Sequence, residues 1–454
     1  MTPGRIAGMT EFRDRGPIRR LWPWAAALLL VLPNPGLCSD GVWSSGLEWF
    51  QPRLGGQITA RGSVSDPPRD SLFAPVGTER HHDAGFDARL KGEFTLAPTV
   101  DLELHYELVG LTGETWRDGR ELGRLYPGLG DAVALGPRPI SDRRRLFDLT
   151  KVIDEGDDGI LYHRLDRCAV TWKDQGTLVR LGRQAVTWGH GFLFNPMDLL
   201  NPFAPTDIER DYKVGDDMAF FQHPFGAGGD LQLVLAPRRH PDSGKIAADQ
   251  SSLGGKYHFA VGTLETDLMA ARHYEDVILG IGNVGYLGRA AWRLDVTWTI
   301  PDADTGESDY LALVANLDTS WVWLDRNWYG LLEFYYNGLG DDDYGRSIRE
   351  ERIAERFERG ELFTLGRFYL GATLQVELHP LLNFYLTAIA NLEDPSGILQ
   401  PRLLWDATES LRLTLGANLY WGGPETEYGG FEIGNTGLTQ RPAPSVYAWL
   451  SWYF

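Results

Sequence analysis

The sequence predicts an all-β protein: a transmembrane, antiparallel, up-and-down β-barrel of about 18 strands, with 16 as the alternative count. Three observations carry this. From about residue 54 onward apolar and polar residues alternate strictly, the two-residue period of a strand with one apolar face. The alternating runs are roughly 9–12 residues long, which is long for a sandwich and matches a tilted bilayer crossing. The connections sort by parity: the long polar segments 63–84, 111–158, 188–216, 237–254, 339–365 and 422–444 each follow an odd strand. The short turns, near Pro98, KDQG 173–176, PFGAGG 224–229, His379-Pro380 and DATES 406–410, follow even ones. A barrel with short turns at one rim and long loops at the other has this asymmetry, and a sandwich has no reason for it.

The first element is a leader. Arg13, Arg15, Arg19 and Arg20 precede the apolar run Ala25–Leu32, followed by PGLCSDG. A basic region, a short apolar region and a small-residue zone predict a secretory signal peptide over residues 1–38. Leu37 argues against a lipoprotein site at Cys38. Residues 39–53 are then a periplasmic N-terminal segment, and 54–454 the barrel.

Alternation is clearest in GFDARLKGEFTL, where Phe86, Ala88, Leu90, Phe94 and Leu96 oppose Asp87, Arg89, Lys91, Glu93 and Thr95. It returns at Leu102–Leu108, Trp292–Trp298, Phe368–Val376 and Leu411–Leu419. Tyr310–Asp325 reads as one long strand. Two segments read poorly: 159–172 and 177–187 carry polar residues on both faces, so unbroken alternation would aim Arg167 and Arg183 at lipid. A bulge there, or protrusion of these segments above the membrane, resolves the conflict.

Composition removes other classes. The 454 residues contain no repeated apolar stretch of helical-span length, and aromatics at 12% argue against disorder. The 43 basic and 62 acidic side chains give a net charge of −19, which disfavours nucleic acid. Two cysteines support neither a disulfide framework nor a multi-cysteine metal site. Asp302, Asp304, Gly306 and Glu307 lack the full ligand spacing of a calcium loop. His81-His82 lacks a third ligand. Arg143-Arg144-Arg145 reads as a solvated run or a contact for lipopolysaccharide phosphates, and Glu and Arg at helical spacings in 346–363 predict a short surface helix. Without G-x-S-x-G, H-E-x-x-H or C-x-x-C-H, the sequence predicts neither an enzyme nor a metal or other cofactor.

The chain ends SVYAWLSWYF, with Val446, Ala448, Leu450, Trp452 and Phe454 on one face. This end is similar to that of Gram-negative outer-membrane proteins, whose last strand closes on an aromatic residue. The resemblance implies insertion by the barrel-assembly machinery, with Trp452 and Phe454 as the signal, and a location in the cell outer membrane. A second motif is GRQ at 182–184, followed by WGHG at 188–191 and a loop with Pro196, Pro202 and Pro205. It resembles a segment of porin-like barrels, including alginate-export-type channels, and implies a channel without specifying its solute.

The alternation assigns pore-lining side chains: Arg89, Lys91, Glu93, Glu103, Glu107, Arg180, Gln184, Arg293, Asp295, Arg367, Glu377 and Arg412. Cations and anions are nearly balanced, as in a passive pore for small hydrophilic solutes. In the 188–216 loop, Phe192, Phe194, Met197, Leu199, Leu200 and Phe203 need burial. Asp198, Asp207, Glu209, Arg210 and Asp211 need water or partners. Folding this loop into the barrel mouth satisfies both and makes those five residues constriction candidates. The expected surroundings are outer-membrane lipid, lipopolysaccharide and solute, and a homo-oligomer is compatible with the sequence. The alternatives are a polysaccharide exporter of the alginate-export type, or a barrel sleeve around a partner such as a multihaem cytochrome.

Overall fold

The computed structural model describes residues 52–77, 80–126, 140–206, 212–226, 228–434 and 436–454. The predicted signal peptide and most of the segment after it lie outside these residues.

Alternation becomes a closed antiparallel sheet. Its strands are β1 (Pro52–Ser65), β2 (His81–Ala97), β3 (Val100–Gly113), β4 (Gly159–Asp174), β5 (Thr177–Gln184) and β6 (Asp216–Phe225). They continue as β7 (Gly229–Arg239), β8 (Ile246–Val261), β9 (Leu264–His273), β10 (Asp276–Leu287), β11 (Ala290–Ile300) and β12 (Tyr310–Trp323). The last six are β13 (Arg326–Asn337), β14 (Phe368–His379), β15 (Leu382–Asn391), β16 (Ser396–Thr408), β17 (Leu411–Trp421) and β18 (Ser445–Tyr453). A further strand of the sheet, Thr150–Glu155, pairs only with one end of β4, so the barrel itself has 18 strands. The seam between β18 and β1 runs from Gln57 opposite Tyr453 to Ser65 opposite Ser445. Beyond it, the Gly56 N–H donates to the Phe454 carbonyl at 2.9 Å and the Phe454 N–H to Gly56 at 3.1 Å. Closure removes the unpaired edges that lipid could not satisfy.

Every turn from an even strand to the next odd one spans two or three residues, and the long connections lie at the opposite rim. Parity does not make every connection at that rim long, since β9 and β10 are joined by Tyr274-Glu275 alone. The segment 237–254, expected as a long loop, belongs mostly to β7 and β8, which leave only residues 240–245 between them. These strands extend as a polar hairpin, and the polarity that resembled a loop includes the buried Arg238, Gln250 and Ser252. The first strand starts at Pro52, two residues before the expected boundary.

Outward positions carry Leu90, Leu181, Leu253, Leu317, Leu332 and Val446, all exposed. Exposed tryptophans ring both ends: Trp172, Trp321, Trp323 and Trp405 at the short-turn rim, and Trp298 and Trp421 at the other. An apolar band between aromatic girdles is the surface that a bilayer covers.

The conflict in β4 is resolved by a bulge. His105 pairs with Arg167 and Tyr106 with Leu165, leaving Asp166 as the extra residue on β4. Arg164, Asp166 and Arg167 are all buried in one ion-pair network, so Arg167 does not meet lipid.

The long connections build a cap with its own core. Leu72, Leu122 of helix α1 (Glu114–Leu125), Tyr344 of the single turn α2 (Tyr344–Ser347), Ile353 of helix α3 (Glu351–Arg359) and Phe431 pack together. The Arg/Glu spacing in 346–363 does form a helix. It ends where Gly360 takes φ 73°, the left-handed conformation favoured after a last helical turn. The Arg143–Arg145 run is partnered: Arg145 pairs with Asp142 at 2.6 Å and Arg144 with Glu358 at 3.0 Å.

Candidate functional site in the barrel lumen

Most of the side chains predicted to line the pore are engaged with protein partners. Arg89 is 3% exposed; it donates to Glu107 at 2.7 Å and to Asp166 at 2.8 Å. Lys91 lies 4.1 Å from the Tyr212 ring centroid. Glu93 pairs with Arg53 at 2.8 Å and Glu103 stands 3.4 Å from His105. Arg180 donates to the Thr171 hydroxyl at 2.9 Å, Arg293 pairs with Asp318, and Arg412 pairs with Asp406 at 2.7 Å. Glu377 accepts from Asn327 at 2.9 Å.

Two assignments need correction. Arg367 precedes β14, and its Nε donates to the Gly340 carbonyl at 2.7 Å. It is an exposed rim residue, because the polar connection runs up to the strand start. Gln184 ends β5 with its Nε2 directed at the carbonyls of Arg180 and Met218, both at 3.1 Å. It is 1% exposed and braces the strand end, without facing open lumen.

The GRQ segment anchors the loop that comes after it. Gly182 has φ 121°, and a Cβ there would lie 2.2 Å from the Cys168 carbonyl oxygen. That backbone is available to glycine, and strand pairing continues through it without a shift to the buried Arg183. Arg183 then forks onto Asp217, with Nε to Oδ1 and Nη2 to Oδ2 both 2.9 Å. Its Nη1 reaches Asp142 Oδ2 at 3.0 Å, in the connection after α1. Arg145 and Arg183 hold the Asp142 carboxyl well below the usual range, at about 2, against its burial.

From β5 the chain enters the barrel and crosses it. Trp188 donates to Gln232 at 2.8 Å, and the His190 ring meets Asp295 at 2.8 Å. Asp295 and Glu333 are both 0% exposed. The Glu333 carboxylate accepts the backbone N–H groups of Phe192, Leu193 and Phe194 at 2.7, 2.9 and 2.7 Å, and Asn316 Nδ2 at 3.2 Å. Further on, the Thr206 carbonyl accepts from Gln400 of β16 at 3.1 Å. After residues 207–211 the chain is back beside β2 and β4, where Tyr212 lies under Arg89 (4.4 Å) and Gly215 donates to Asp166 at 3.2 Å.

Packing follows the same course. Trp188, Met197 and Leu200 join Met218, Val234, Met269 and Ile278 of the wall. Phe194 stacks on Tyr335 at 4.4 Å beside Tyr369, Ile389 and Ile398. At Gly371 a Cβ would lie 2.3 Å from the Leu193 Cδ1, so the wall is glycine where the loop tip presses on it. Phe192 and Phe203, expected to be buried, stay exposed; Phe192 lies against the Arg293 guanidinium at 4.7 Å.

Of the constriction candidates, Asp207, Glu209, Arg210 and Asp211 lie outside the described residues. Asp198 does not present its charge to the lumen: it is buried against Lys213. Burial raises its carboxyl to about 6, with Lys213 pulling the other way. Sequence reasoning missed Asp142, Asp166, Asp217 and Glu333. The available signals were Gly182 just before Arg183 and a glycine, Gly371, on the inward side of β14.

No family model matches the sequence, and no curated protein matches it. Among solved structures the chain is similar to OccAB2 and OccAB3 of Acinetobacter baumannii and to a BenF-like porin of Pseudomonas fluorescens Pf-5. Identities are 11%, 10% and 9%, each with a TM-score of 0.50. The similarity covers 88%, 89% and 89% of this chain and 98%, 99% and 98% of those proteins. At such identity the likeness is one of architecture, and the architecture is that of an 18-stranded outer-membrane β-barrel.

Proposed function

We propose that the chain is an outer-membrane channel for passive diffusion of small hydrophilic solutes, constricted by the segment 188–216. The observation that carries this reading is the wall-to-wall path of that segment, from Asp295 and Glu333 to Gln400 and back to Arg89. A barrel of this strand number encloses an aqueous lumen unless loops fill it, so an inward loop sets the passage. The wall carries both signs in paired form, such as Arg89–Glu107 and Arg293–Asp318. That favours small solutes over a highly charged polymer. Planar-bilayer recording of the purified chain tests the reading. Discrete ion-conducting steps are expected, and a protein that inserts without conductance overturns the channel in favour of a filled sleeve.

The long connections are assigned to the cell exterior. A cysteine at the exposed Asp342 should react with an impermeant thiol reagent on intact cells, whereas one at Gln175 should not. The opposite pattern inverts the topology.

Assembly is assigned to the C-terminal strand. Deleting Phe454, or changing it to Ser, should lower the amount of heat-modifiable barrel in the outer membrane. The residue closes the seam with Gly56 through two backbone hydrogen bonds, and its ring lies 4.8 Å from that of Trp452, tilted by 32°. Undiminished assembly of both variants removes Phe454 from that role.

A further inference from the structure

A cavity of about 430 Å³ lies inside the barrel between β1–β4 and β18, closed in part by Trp116 of α1 and Tyr212 of the inward loop. The size is within the ~300–1,000 Å³ of small-molecule sites. Its charges are largely spent on one another: Arg89 on Glu107 and Asp166, and Arg164 on the same two carboxylates. What remains is a set of buried polar atoms without hydrogen-bond partners. Two are donors, Arg61 Nε and Arg89 Nε, and two are acceptors, Gln57 Oε1 and Asp87 Oδ1. Gln57, Asp87 and Arg89 are each more than nine-tenths buried, and all four residues line the cavity. Unpartnered buried donors and acceptors are costly and rare, and four around one cavity call for a ligand or water to satisfy them.

We propose that this cavity is a binding site for a neutral saccharide of one or two rings, whose hydroxyls accept from Arg61 and Arg89 and donate to Gln57 and Asp87 beside Trp449. A sugar hydroxyl both donates and accepts, so adjacent hydroxyls answer a site that offers two donors and two acceptors. An ion of one sign is not what the site selects, because its unpartnered atoms are donors and acceptors in equal number. Trp449, stacked on Tyr447 at 4.7 Å, and the buried Trp116 contribute apolar lining beside the polar atoms; Arg61 sits 5.9 Å from the Trp449 centroid, at the junction of polar and apolar lining. Water alone would satisfy the polar atoms but would leave the exposed part of the half-buried Trp449 wet.

The inference names the solute class of the channel proposed above and rests on that reading for its meaning in transport, but its test is one of binding. Saturation-transfer NMR on the full chain in detergent micelles would be run with maltose, lactose, cellobiose and sucrose, and with glucuronate and lysine as charged controls. At least one neutral disaccharide should bind saturably. Gln57→Leu, which removes an acceptor at nearly constant volume, should weaken it several-fold, Asp87→Asn, which keeps one acceptor oxygen, by a smaller factor, and Trp449→Ala tenfold or more. Heat-modifiability reports whether each variant has folded, and if Trp449→Ala fails that check the two polar variants still decide the matter. Absence of saturable binding by any neutral sugar overturns the proposal, as does binding of glucuronate or lysine alone, or unchanged affinity in the folded variants. Sugar binding by a chain that shows no bilayer conductance would retain the site and remove the channel.

Discussion

Glu333→Ala is expected to raise single-channel conductance several-fold without unfolding the barrel. The carboxylate is the acceptor for three consecutive backbone N–H groups at the tip of the inward loop, and it is wholly buried. Alanine leaves all three donors without it, at roughly 1–3 kcal/mol for each that finds no replacement. Water can reach those groups only if the tip lifts from the wall, so the relaxed state is a wider lumen. The strands keep their hydrogen bonds, because the Glu333 backbone and its pairing with Asn316 and Gly371 are untouched. Glu333→Gln should have a smaller effect: its one carbonyl oxygen still accepts, while its NH₂ confronts the remaining donors. Single-channel recording with heat-modifiability as the folding control makes the measurement. Wild-type conductance in a folded Glu333→Ala barrel would show that the segment 192–194 does not limit the passage.

Glu333 also shows where sequence reasoning stopped. In GLLEFYY it is one more acid on an alternating strand, and its role depends on loop residues some 140 positions earlier. Strand existence, the closed sheet and the parity of the turns were legible because each follows from local period and the side chains that lipid requires outside. The facing of β4 and β5 was legible only as a conflict. A bulge at Asp166 shifts the inward set, and Arg183 is covered by Asp142 from 41 positions earlier; neither can be placed before the partner segment is known. The apolar residues of 188–216 announced an inward fold, yet their charged neighbours misled: Asp198 finds Lys213 in the same loop and never faces water. Arg367 was assigned to the wall because a connection ending on the right parity is indistinguishable from a strand beginning there.

The ion-pair site behind the inward loop has the largest expected effect on stability. Arg183 is buried with Asp142 and Asp217, and both carboxylates have side chains only 1% exposed. Arg183→Ala leaves two buried carboxylates short of their shared cation, and breaking a buried pair in this way costs roughly 3–5 kcal/mol. The heat-modifiability midpoint should fall accordingly. Arg183→Lys should recover only part, since an ammonium cannot reproduce the fork onto Asp217 or the third bond to the Phe147 carbonyl at 2.7 Å. Arg183→Leu combined with Asp142→Asn and Asp217→Asn should be more stable than Arg183→Ala, because no buried charge is left over. Acid provides an independent readout. The Asp142 carboxyl is depressed to about 2 in the folded chain, so its contribution is complete above the ordinary aspartate range and is lost as pH falls through about 2. The Leu149 amide, which donates to Asp142 Oδ2 at 2.9 Å, should therefore lose exchange protection between about pH 4 and 2 in the wild type. With Arg183→Ala the carboxyl sheds part of that depression, and protection should fail at a higher pH. A folded Arg183→Ala barrel with the wild-type midpoint and the wild-type acid profile would mean that Arg183 does not hold the 140–149 segment against the wall.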